Sequence, residues 1–204
     1  MALTALKLYG VTLLDRESGS PISAEASLVP YRDLGALVKP APFAPVARGA
    51  AELALHHRIV EDAFRRGVIL PAPVGVVFRS AERVRQWLEH NYIALSEGIH
   101  FVVGRCETRV HISDTGDHPT DTPADAAAAA AECFRLLRRT AVAAVPVSNE
   151  QERAVLSGAF LIDQDRWDEF AEQVREQARR SDALEFEQTG PWPPYDFVRL
   201  ELGA

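Results

Sequence analysis

The chain has 204 residues, of which 47% are hydrophobic and 25% are charged. This composition is average for folded globular proteins, and a chain of this length buries a substantial core, so disordered, collagen-like and coiled-coil classes are excluded. The net charge of -7, from 29 acidic and 22 basic side chains, argues against a nucleic-acid partner, because proteins that bind a phosphate backbone normally carry a concentrated basic surface.

Cysteine content and hydropathy indicate the compartment. The two cysteines, Cys106 and Cys133, lack the CxxC spacing of a zinc or redox site and are too few for a disulfide framework. They predict buried, reduced thiols in a cytosolic protein. No apolar segment reaches the roughly eighteen residues that a membrane span needs, and the N-terminus lacks the pattern of a signal peptide. We expect a cytoplasmic protein without a membrane span.

The first forty-five residues predict two strands and a connector. Residues 5–14 alternate loosely between apolar and polar side chains, which is typical of a strand, and residues 24–31 form a second strand candidate. Three prolines follow in KPAPFAP, residues 39–45. Because proline fixes its backbone and lacks an N–H donor, we expect this stretch to be a connector rather than a helix or a central strand.

Two helices and a broken strand pattern come next. Apolar residues repeat at helical spacing over residues 49–66, and Gly67 supplies a stop signal. VILPAPVGVVF, residues 68–78, contains two short β-branched runs divided by prolines, which predicts two short strands. Ser80 is a suitable N-cap for a helix over residues 81–97, which Gly98 would end.

The second half repeats strands and helices. Residues 99–112 are the longest strand candidate, with one polar and one apolar face. Thr122 and Pro123 form an N-cap and first-turn pair for a helix that reaches about residue 140. A strand over residues 155–162, a helix over residues 165–180 and a last strand over residues 183–188 complete the order.

This order of elements predicts an α+β protein with two ferredoxin-like domains, in which helices lie on one face of mainly antiparallel sheets. We place the N-terminal α+β domain at residues 1–98 and the C-terminal α+β domain at residues 99–204. The second domain includes an extended arm rich in proline and aromatic residues at 190–198. No internal sequence repeat supports the division.

His56 and His57 are the first candidates for chemistry, because His57 stands four residues before Glu61, and a helix would present both of these side chains to one metal ion. However, HHRIVED is not the HExxH motif of zinc proteases. His57 also falls on the helix face that carries Leu53, Val60 and Phe64. We therefore expect a histidine that is hydrogen-bonded at the edge of the core.

A catalytic cysteine is disfavoured by geometry. Cys106 and His111 would point to opposite faces of a regular strand, and the surroundings of Cys106 indicate burial rather than an activated thiolate. The chain has no GxGxxG, GxxxxGK[ST], GxSxG or HExxH motif. We expect no catalytic residue, cofactor or metal. The alternative is an α+β enzyme or small-ligand-binding protein with a site between the sheets that uses His57, Glu61, Cys106 and His111. A self-associating module that pairs through a free edge strand is a third possibility.

The chain ends in an unusual stretch, TGPWPPYDFV, residues 189–198. Its three prolines fix an extended backbone with few donors, and its three aromatic rings offer large apolar area. One interpretation is an intramolecular staple, in which each fully buried ring contributes roughly 1.5–3 kcal/mol. The other is an aromatic docking surface for a partner.

Three stretches together resemble one known family. HHRIVEDAF, ILPAPVGVVF and TGPWPPYDFV are similar to the histidine-bearing helix, the leucine-proline segment and the C-terminal signature of the gas vesicle protein F and L family (GvpF/GvpL). The positions that follow the family pattern and are candidates for interaction are His57, Leu70, Pro71, Gly75, Gly190, Pro191, Trp192, Pro193, Pro194, Tyr195 and Phe197. Pro73, Val74 and Asp196 depart from it.

The resemblance implies a two-domain, non-enzymatic accessory or minor structural protein of gas vesicle assembly. It implies that the chain binds the small gas vesicle shell protein (GvpA type), with other gas vesicle accessory proteins as further candidate partners. It also implies a cytoplasmic protein that is associated with the gas vesicle. The residues by themselves support an acidic body without catalytic motifs, whereas the partner comes from the family alone.

Overall fold

A computed structural model describes residues 5–14, 24–44, 49–116, 123–148 and 154–201 of the chain. The chain divides into two compact units. The first unit comprises Met1–Val103 together with Pro193–Ala204, and the second comprises Gly104–Trp192. The predicted α+β class with two antiparallel sheets is confirmed.

The first unit contains one sheet and three helices. Its elements are β1 (Ala5–Leu13), β2 (Ser27–Tyr31), β3 (Leu34–Ala41), α1 (Ala50–Arg66), β4 (Ile69–Pro71), β5 (Val77–Phe78), α2 (Ala81–His90) and α3 (Tyr92–Val102). The sheet has the order β2-β3-β1-β4, and β5 also pairs with β1. All of these pairs are antiparallel.

Helices cover both faces of this sheet. Ile69 packs with Ile59 and Val60 of α1 in one buried cluster. The side chain of the next residue, Leu70, lies so close to Gly98 of α3 that a Cβ atom there would be 3.2 Å from it. Because successive residues of a strand point to opposite faces, α1 and α3 lie on opposite sides of the sheet. The first unit therefore differs from the predicted arrangement, which had helices on one face.

The second unit has a different topology. Its elements are β6 (Arg105–Asp114), α4 (Pro123–Arg138), β7 (Ala143–Pro146), β8 (Ala154–Asp163), a short 3-10 helix (Gln164–Arg166), α5 (Trp167–Arg180) and β9 (Leu184–Trp192). The antiparallel sheet has the order β7-β8-β6-β9. This βαββαβ sequence of elements is ferredoxin-like. The first unit, with three strands before its first helix, is not.

Both helices of the second unit cover the same face of its sheet. The ring of Phe160 on β8 lies 5.2 Å from the ring of Phe134 on α4 and 5.3 Å from the ring of Phe170 on α5, measured between centroids. Contacts at this spacing are typical of aromatic pairs in protein cores. One residue of β8 thus joins both helices to the sheet, as the ferredoxin-like prediction requires.

The strand predicted for residues 99–112 is wrong in its first part. Helix α3 continues through Gly98 to Val102, and β6 begins only at Arg105. Gly98 lies within the helix and does not end it. The glycine serves packing instead, since the absence of a side chain leaves room for Leu70. The helix predicted for residues 81–97 is instead divided at Asn91, whose Nδ2 donates to Trp87 O over 2.9 Å. Along the chain, the boundary between the two units falls between Val103 and Gly104 rather than at Gly98.

The proline-rich stretch also differs from the prediction. Lys39, Pro40 and Ala41 belong to β3, where Pro40 pairs with Leu6 of β1. Strand β2 begins at Ser27, which pairs with Val38. A proline fits at this position because the ladder to β2 has ended, so that a missing N–H costs nothing on that side. The connector predicted for residues 39–45 is thus a strand up to Ala41.

Several other elements are confirmed within a few residues. These are β1, α1, the two short strands β4 and β5, α4, β8 and α5. Thr122, the predicted N-cap of α4, lies outside the described residues. Cys106 and Cys133 are free and buried, as predicted. In the part of the chain that the structure describes, no helix combines the length and the apolar character that crossing a bilayer requires.

We expect Gly10→Ala to destabilise the protein by about 1–3 kcal/mol, because β4 passes very close to β1 at this residue. An added Cβ atom would lie 2.6 Å from Leu70 O and 2.8 Å from the Ile69 side chain. Gly67→Ala is the matched control, since no atom lies within 4 Å of its Cβ position, and it should change stability by less than about 0.5 kcal/mol. Urea denaturation of both variants measures this. Equal stability of the two would contradict the close packing of β1 and β4.

Candidate functional site

The start of the C-terminal signature forms a bulge at the edge of the second unit's sheet. Arg109 pairs with Thr189, and Glu107 pairs with Trp192, so Gly190 and Pro191 together oppose a single residue of β6. Gly190 has a φ angle of +123°, and a Cβ atom there would lie 2.9 Å from Glu107 O. The glycine is therefore required by the backbone. The Gly190–Pro191 peptide bond is cis.

Trp192 ends β9 with a partly accessible ring. The residue is 36% exposed, and its Nε1 donates to Thr189 Oγ1 over 3.2 Å. Two residues of the signature, Thr189 and Trp192, are thus joined by their own side chains. An exposed indole whose N–H is held in place presents a large, oriented apolar surface.

The rest of the segment belongs to the first unit, where prolines and a leucine are more deeply buried than the aromatic rings. Pro193, Pro194 and Leu200 are buried, whereas Phe197 is only half-buried. Further along, Glu201 O accepts a hydrogen bond of 2.9 Å from the indole N–H of Trp87 on α2. The buried residues of the segment are thus the two prolines and Leu200, whereas the rings of Tyr195 and Phe197 are only partly buried.

Tyr195 connects the segment to α1. It packs against the buried cluster that contains Ile59 and Val60, and its ring stacks on His57 with centroids 5.6 Å apart and planes 26° apart. His57 is exposed rather than at the edge of the core, so this part of the prediction is wrong. Its ring covers one face of Tyr195, which places a histidine and a tyrosine side by side on the surface of the first unit.

The buried histidine is the preceding residue, His56, whereas the position at the core was predicted for His57. The two adjacent histidines point in directions about 100° apart around the helix axis. Which of them is buried therefore depends on the rotation of the helix about its axis relative to the sheet. His56 is 1% exposed, and its ring lies 5.2 Å from the ring of Tyr9. Since a carbonyl oxygen only accepts, His56 Nε2 donates to Ala72 O over 3.0 Å.

Burial lowers the pKa of His56 to about 4. The hydrogen bond to the Ala72 carbonyl raises this pKa, and the nearby charges of Lys7 and His57 lower it further. Burial dominates because the charged imidazolium loses its hydration inside the protein. The ring is therefore neutral at pH 7. Its Nδ1 atom is buried and has no hydrogen-bond partner among the described residues.

The leucine-proline part of the family pattern has a structural role. Leu70 is 1% exposed, and both Leu70 and Pro71 pair with β1. Gly75 has a φ angle of +96°, in the left-handed region that side chains disfavour, at the turn between β4 and β5. These three residues maintain the fold of the first unit. Among the rings of the family pattern, those of His57 and Trp192 are exposed, and those of Tyr195 and Phe197 are partly buried.

The remaining candidates for chemistry are divided between the units. Glu61 of the first unit forms an ion pair with Arg65, with 3.2 Å between Glu61 Oε2 and Arg65 Nη2. In the second unit, burial raises the pKa of the Cys106 thiol to about 11, with the Asp163 charge as a smaller cause, so the thiol is protonated at neutral pH. His111 is hydrogen-bonded to Ser157 Oγ over 2.7 Å.

Glu107 alternates with the apolar residues of the strand predicted over residues 99–112, which would place it on the polar face. It is fully buried, and Arg109 of the same strand pairs with it, with 3.0 Å between Arg109 Nε and Glu107 Oε1. A buried carboxylate requires such a partner, because an isolated charge in the interior is costly. This ion pair is a structural feature of β6.

Comparisons with known proteins agree on one family. The family model of gas vesicle synthesis protein GvpL/GvpF matches residues 6–120 and 117–199 of the chain. Gas vesicle protein F2 of Halobacterium salinarum is 27% identical over 215 residues, covering 100% of this chain and 96% of the relative. Gas vesicle protein F of Haloferax mediterranei is 22% identical, covering 86% of this chain and 83% of the relative.

Solved structures show the same fold. The crystal structure of gas vesicle protein GvpF from Anabaena sp. PCC7120 has a TM-score of 0.81 at 17% identity, covering 97% of this chain and 99% of that protein. The crystal structure of GvpF from Microcystis aeruginosa has a TM-score of 0.76, also at 17% identity, covering 97% of this chain and 100% of that protein. At this identity, the likeness establishes the fold alone.

We expect the free energy of unfolding to fall by about 2 kcal/mol between pH 7 and pH 5 through His56 alone. The folded ring has a pKa of about 4 and stays neutral, whereas the unfolded ring, with a pKa near 6.5, takes up a proton over this range. This contribution to stability is present above the unfolded pKa and is lost as the pH falls towards 4.

Urea denaturation of the wild type and His56→Gln at several pH values measures this difference in slope. His57→Gln is the matched control, because it removes the neighbouring, exposed ring and should keep the steep pH dependence. An equally steep decline in the His56→Gln variant would refute the assignment to His56.

We expect Leu200→Ala to destabilise the protein more than Trp192→Ala. Leu200 is 9% exposed and Trp192 is 36% exposed, so truncation should cost about 2–3 kcal/mol at the buried leucine and about 1 kcal/mol at the accessible tryptophan. Thermal unfolding of the two variants gives the order. The reverse order would mean that the indole, rather than the leucine, secures the C-terminal segment.

Proposed function

Because the chain belongs to the GvpL/GvpF family of gas vesicle synthesis proteins, we propose that it is an accessory or minor structural protein of gas vesicle assembly that binds the small shell protein. The observation that carries this proposal is the family match, which extends over both units from residue 6 to residue 199. The proposed role is one of assembly at the gas vesicle, with other gas vesicle accessory proteins as further candidate partners, and without catalysis.

The chemistry of the titratable groups supports a role in binding. The buried thiol of Cys106 is protonated at neutral pH, and an enzyme that uses a cysteine nucleophile needs the thiolate. Glu61 is engaged with Arg65 and His57 is stacked on Tyr195. These pairings have ordinary structural explanations, so none of these groups carries a proposal of catalysis.

Two aromatic residues of the signature are the proposed contact residues. Trp192 in the second unit is exposed, and Tyr195 in the first unit is partly buried, with its ring stacked on the exposed ring of His57. Tryptophan and tyrosine are enriched among the residues that dominate protein–protein binding energies, because they supply large area at low cost in conformational entropy. His57 and Phe197 extend the accessible surface of the first unit.

The experiment is a titration of the purified protein against the small gas vesicle shell protein. We expect saturable binding by the wild type and at least a tenfold weaker affinity for the double variant Trp192→Ala, Tyr195→Ala, since truncation at such positions typically removes more than 1 kcal/mol each. Melting curves must show that the double variant is folded.

Ile93→Ala is the matched control. Ile93 is 72% exposed and lies outside the signature, so its truncation removes accessible apolar surface without touching the C-terminal segment. This variant should bind like the wild type. Absence of binding by the wild type would overturn the proposed function, whereas equal binding by the wild type and the double variant would overturn only the assignment of the contact residues.

A further inference from the structure

A groove with a volume of about 350 Å³ lies in the first unit between the sheet and α1. Its lining comes from β1 and β3, from the residues that follow β3, and from the first two turns of α1. This volume falls at the small end of the range for ligand pockets. None of the candidates for chemistry discussed above lines it.

The groove contains both lysines of the sequence. The other basic residues of the chain are all arginines, so Lys7 and Lys39 stand out by residue type as well as by position. The two are direct cross-strand partners in the antiparallel pair β1–β3, and both line the groove. Like charges directly opposite each other destabilise a sheet. A bound anion would offset this repulsion.

Lys7 is a built part of the site rather than a mobile surface group. It is 4% exposed, forms an ion pair with Glu52, and holds its ammonium 4.7 Å from the centroid of the Tyr9 ring. An ammonium has three N–H donors. Among the described residues, its ion-pair partner is Glu52, and the Tyr9 ring makes a cation–π contact with the same ammonium. Burial and the opposing Lys39 charge both lower the pKa of Lys7, which agrees with an ammonium that is incompletely compensated.

Lys39 is also only partly neutralised. Its ammonium lies 3.7 Å from Glu25, but that carboxylate receives two shorter hydrogen bonds from the Arg58 guanidinium, of 2.7 and 3.2 Å. Glu25 is thus shared between two cations. In these ion pairs between described residues, three cations, Lys7, Lys39 and Arg58, face the two carboxylates of Glu25 and Glu52.

The start of α1 adds to the positive potential. This helix of 17 residues begins at Ala50, and its N-cap residue, Gly49, forms no side-chain cap. The positive end of the helix dipole therefore lies beside Glu52, which lines the groove. The dipole and the buried ammonium of Lys7 are independent contributions of the same sign.

The remaining walls are apolar and determine what kind of anion fits. They are formed by Pro40, Ala41, Pro42, Ala44 and Leu55, with the ring of Tyr9. A bare inorganic anion would leave these surfaces without a partner, and a cation would meet two ammonium groups. A small acid with a hydrocarbon stem satisfies both the charge and the apolar walls.

We propose that this groove binds a carboxylate group carried on a short apolar stem, with Lys7 and Lys39 as its two cationic contacts. The carboxylate lies between the cross-strand lysines and accepts a hydrogen bond from each ammonium, while the stem lies against the proline and alanine side of the groove. This site is inferred from the groove alone and does not require the proposed binding of the shell protein.

The test uses hexanoate as the probe and the whole protein labelled with ¹³C,¹⁵N-lysine. Because the chain has two lysines, the spectrum contains two sets of lysine side-chain signals, and both should shift saturably on addition of hexanoate. Hexan-1-ol, which has the same stem without the charge, should bind at least tenfold more weakly. Equal effects of the acid and the alcohol on both lysines would overturn the proposal.

Lys39→Gln supplies the mutational arm, because Lys39 is half-exposed and its replacement should not unfold the protein. We expect it to weaken hexanoate binding about tenfold, through loss of one charge-assisted hydrogen bond. Arg85→Gln is the matched control, since it changes the net charge equally at an exposed site on α2, where Arg85 pairs with Glu82. Equal weakening by both variants would indicate a general charge effect and overturn the proposal.

A competition arm distinguishes the two sources of such a carboxylate. If hexanoate displaces the small shell protein, the group belongs to an acidic side chain of that partner. If the two bind together, the natural ligand is a free organic acid. Failure of the wild type to bind hexanoate refutes this site, whatever the shell protein does.

Discussion

The pairing of β1 with three other strands is the constraint on which the first unit depends. β3 lies along one side of β1, and β4 and β5 share the other. As a result, six consecutive residues of β1, residues 7–12, are buried. Burial on both faces requires helices on both sides, and α1 and α3 supply them. The register with β3 also decides which side chains meet. It brings Lys7 opposite Lys39, whereas Tyr9 stands at the irregularity between Leu8 and Gly10 and has no partner on β3. The pairing of the two lysines in the groove is thus a consequence of strand alignment.

The sequence predicts those elements whose apolar pattern has one period and clear ends. Helix α1 has a glycine beyond each end and α5 has a clear apolar stripe, so both follow from local signals. Helix α3 does not, because YIALSEGIHFV is apolar nearly all round, and such a segment is indistinguishable from a buried strand by periodicity. The prediction of a connector at Pro40 was wrong for a different reason. A proline is allowed at this position of β3 because β2 begins opposite Val38, and the sequence does not show where β2 begins relative to β3.

For the candidate sites, the sequence identifies the segments but not the position of each side chain. The C-terminal signature can be recognised in the sequence. Only the structure shows which of its residues are required by the backbone conformation, such as Gly190, and which have exposed rings, such as Trp192. His56 and His57 are adjacent and chemically identical, yet one is buried and the other stacks on Tyr195. Sequence reasoning selected the wrong one because an error of one residue in helical phase moves a side chain by about 100°. The two lysines of the groove are 32 positions apart, and only the sheet reveals them as neighbours.

The division of the chain into units has a consequence for biosynthesis. The second unit is one continuous stretch, whereas the first takes up the chain again at Pro193 and includes its end. A ribosome therefore delivers every residue of the second unit before the first unit has received its last ones. Until then, His57 lacks Tyr195 and the indole N–H of Trp87 lacks the carbonyl of Glu201. Part of the α1 surface of the nascent first unit therefore stays uncovered until a segment that is translated after the whole second unit has been made.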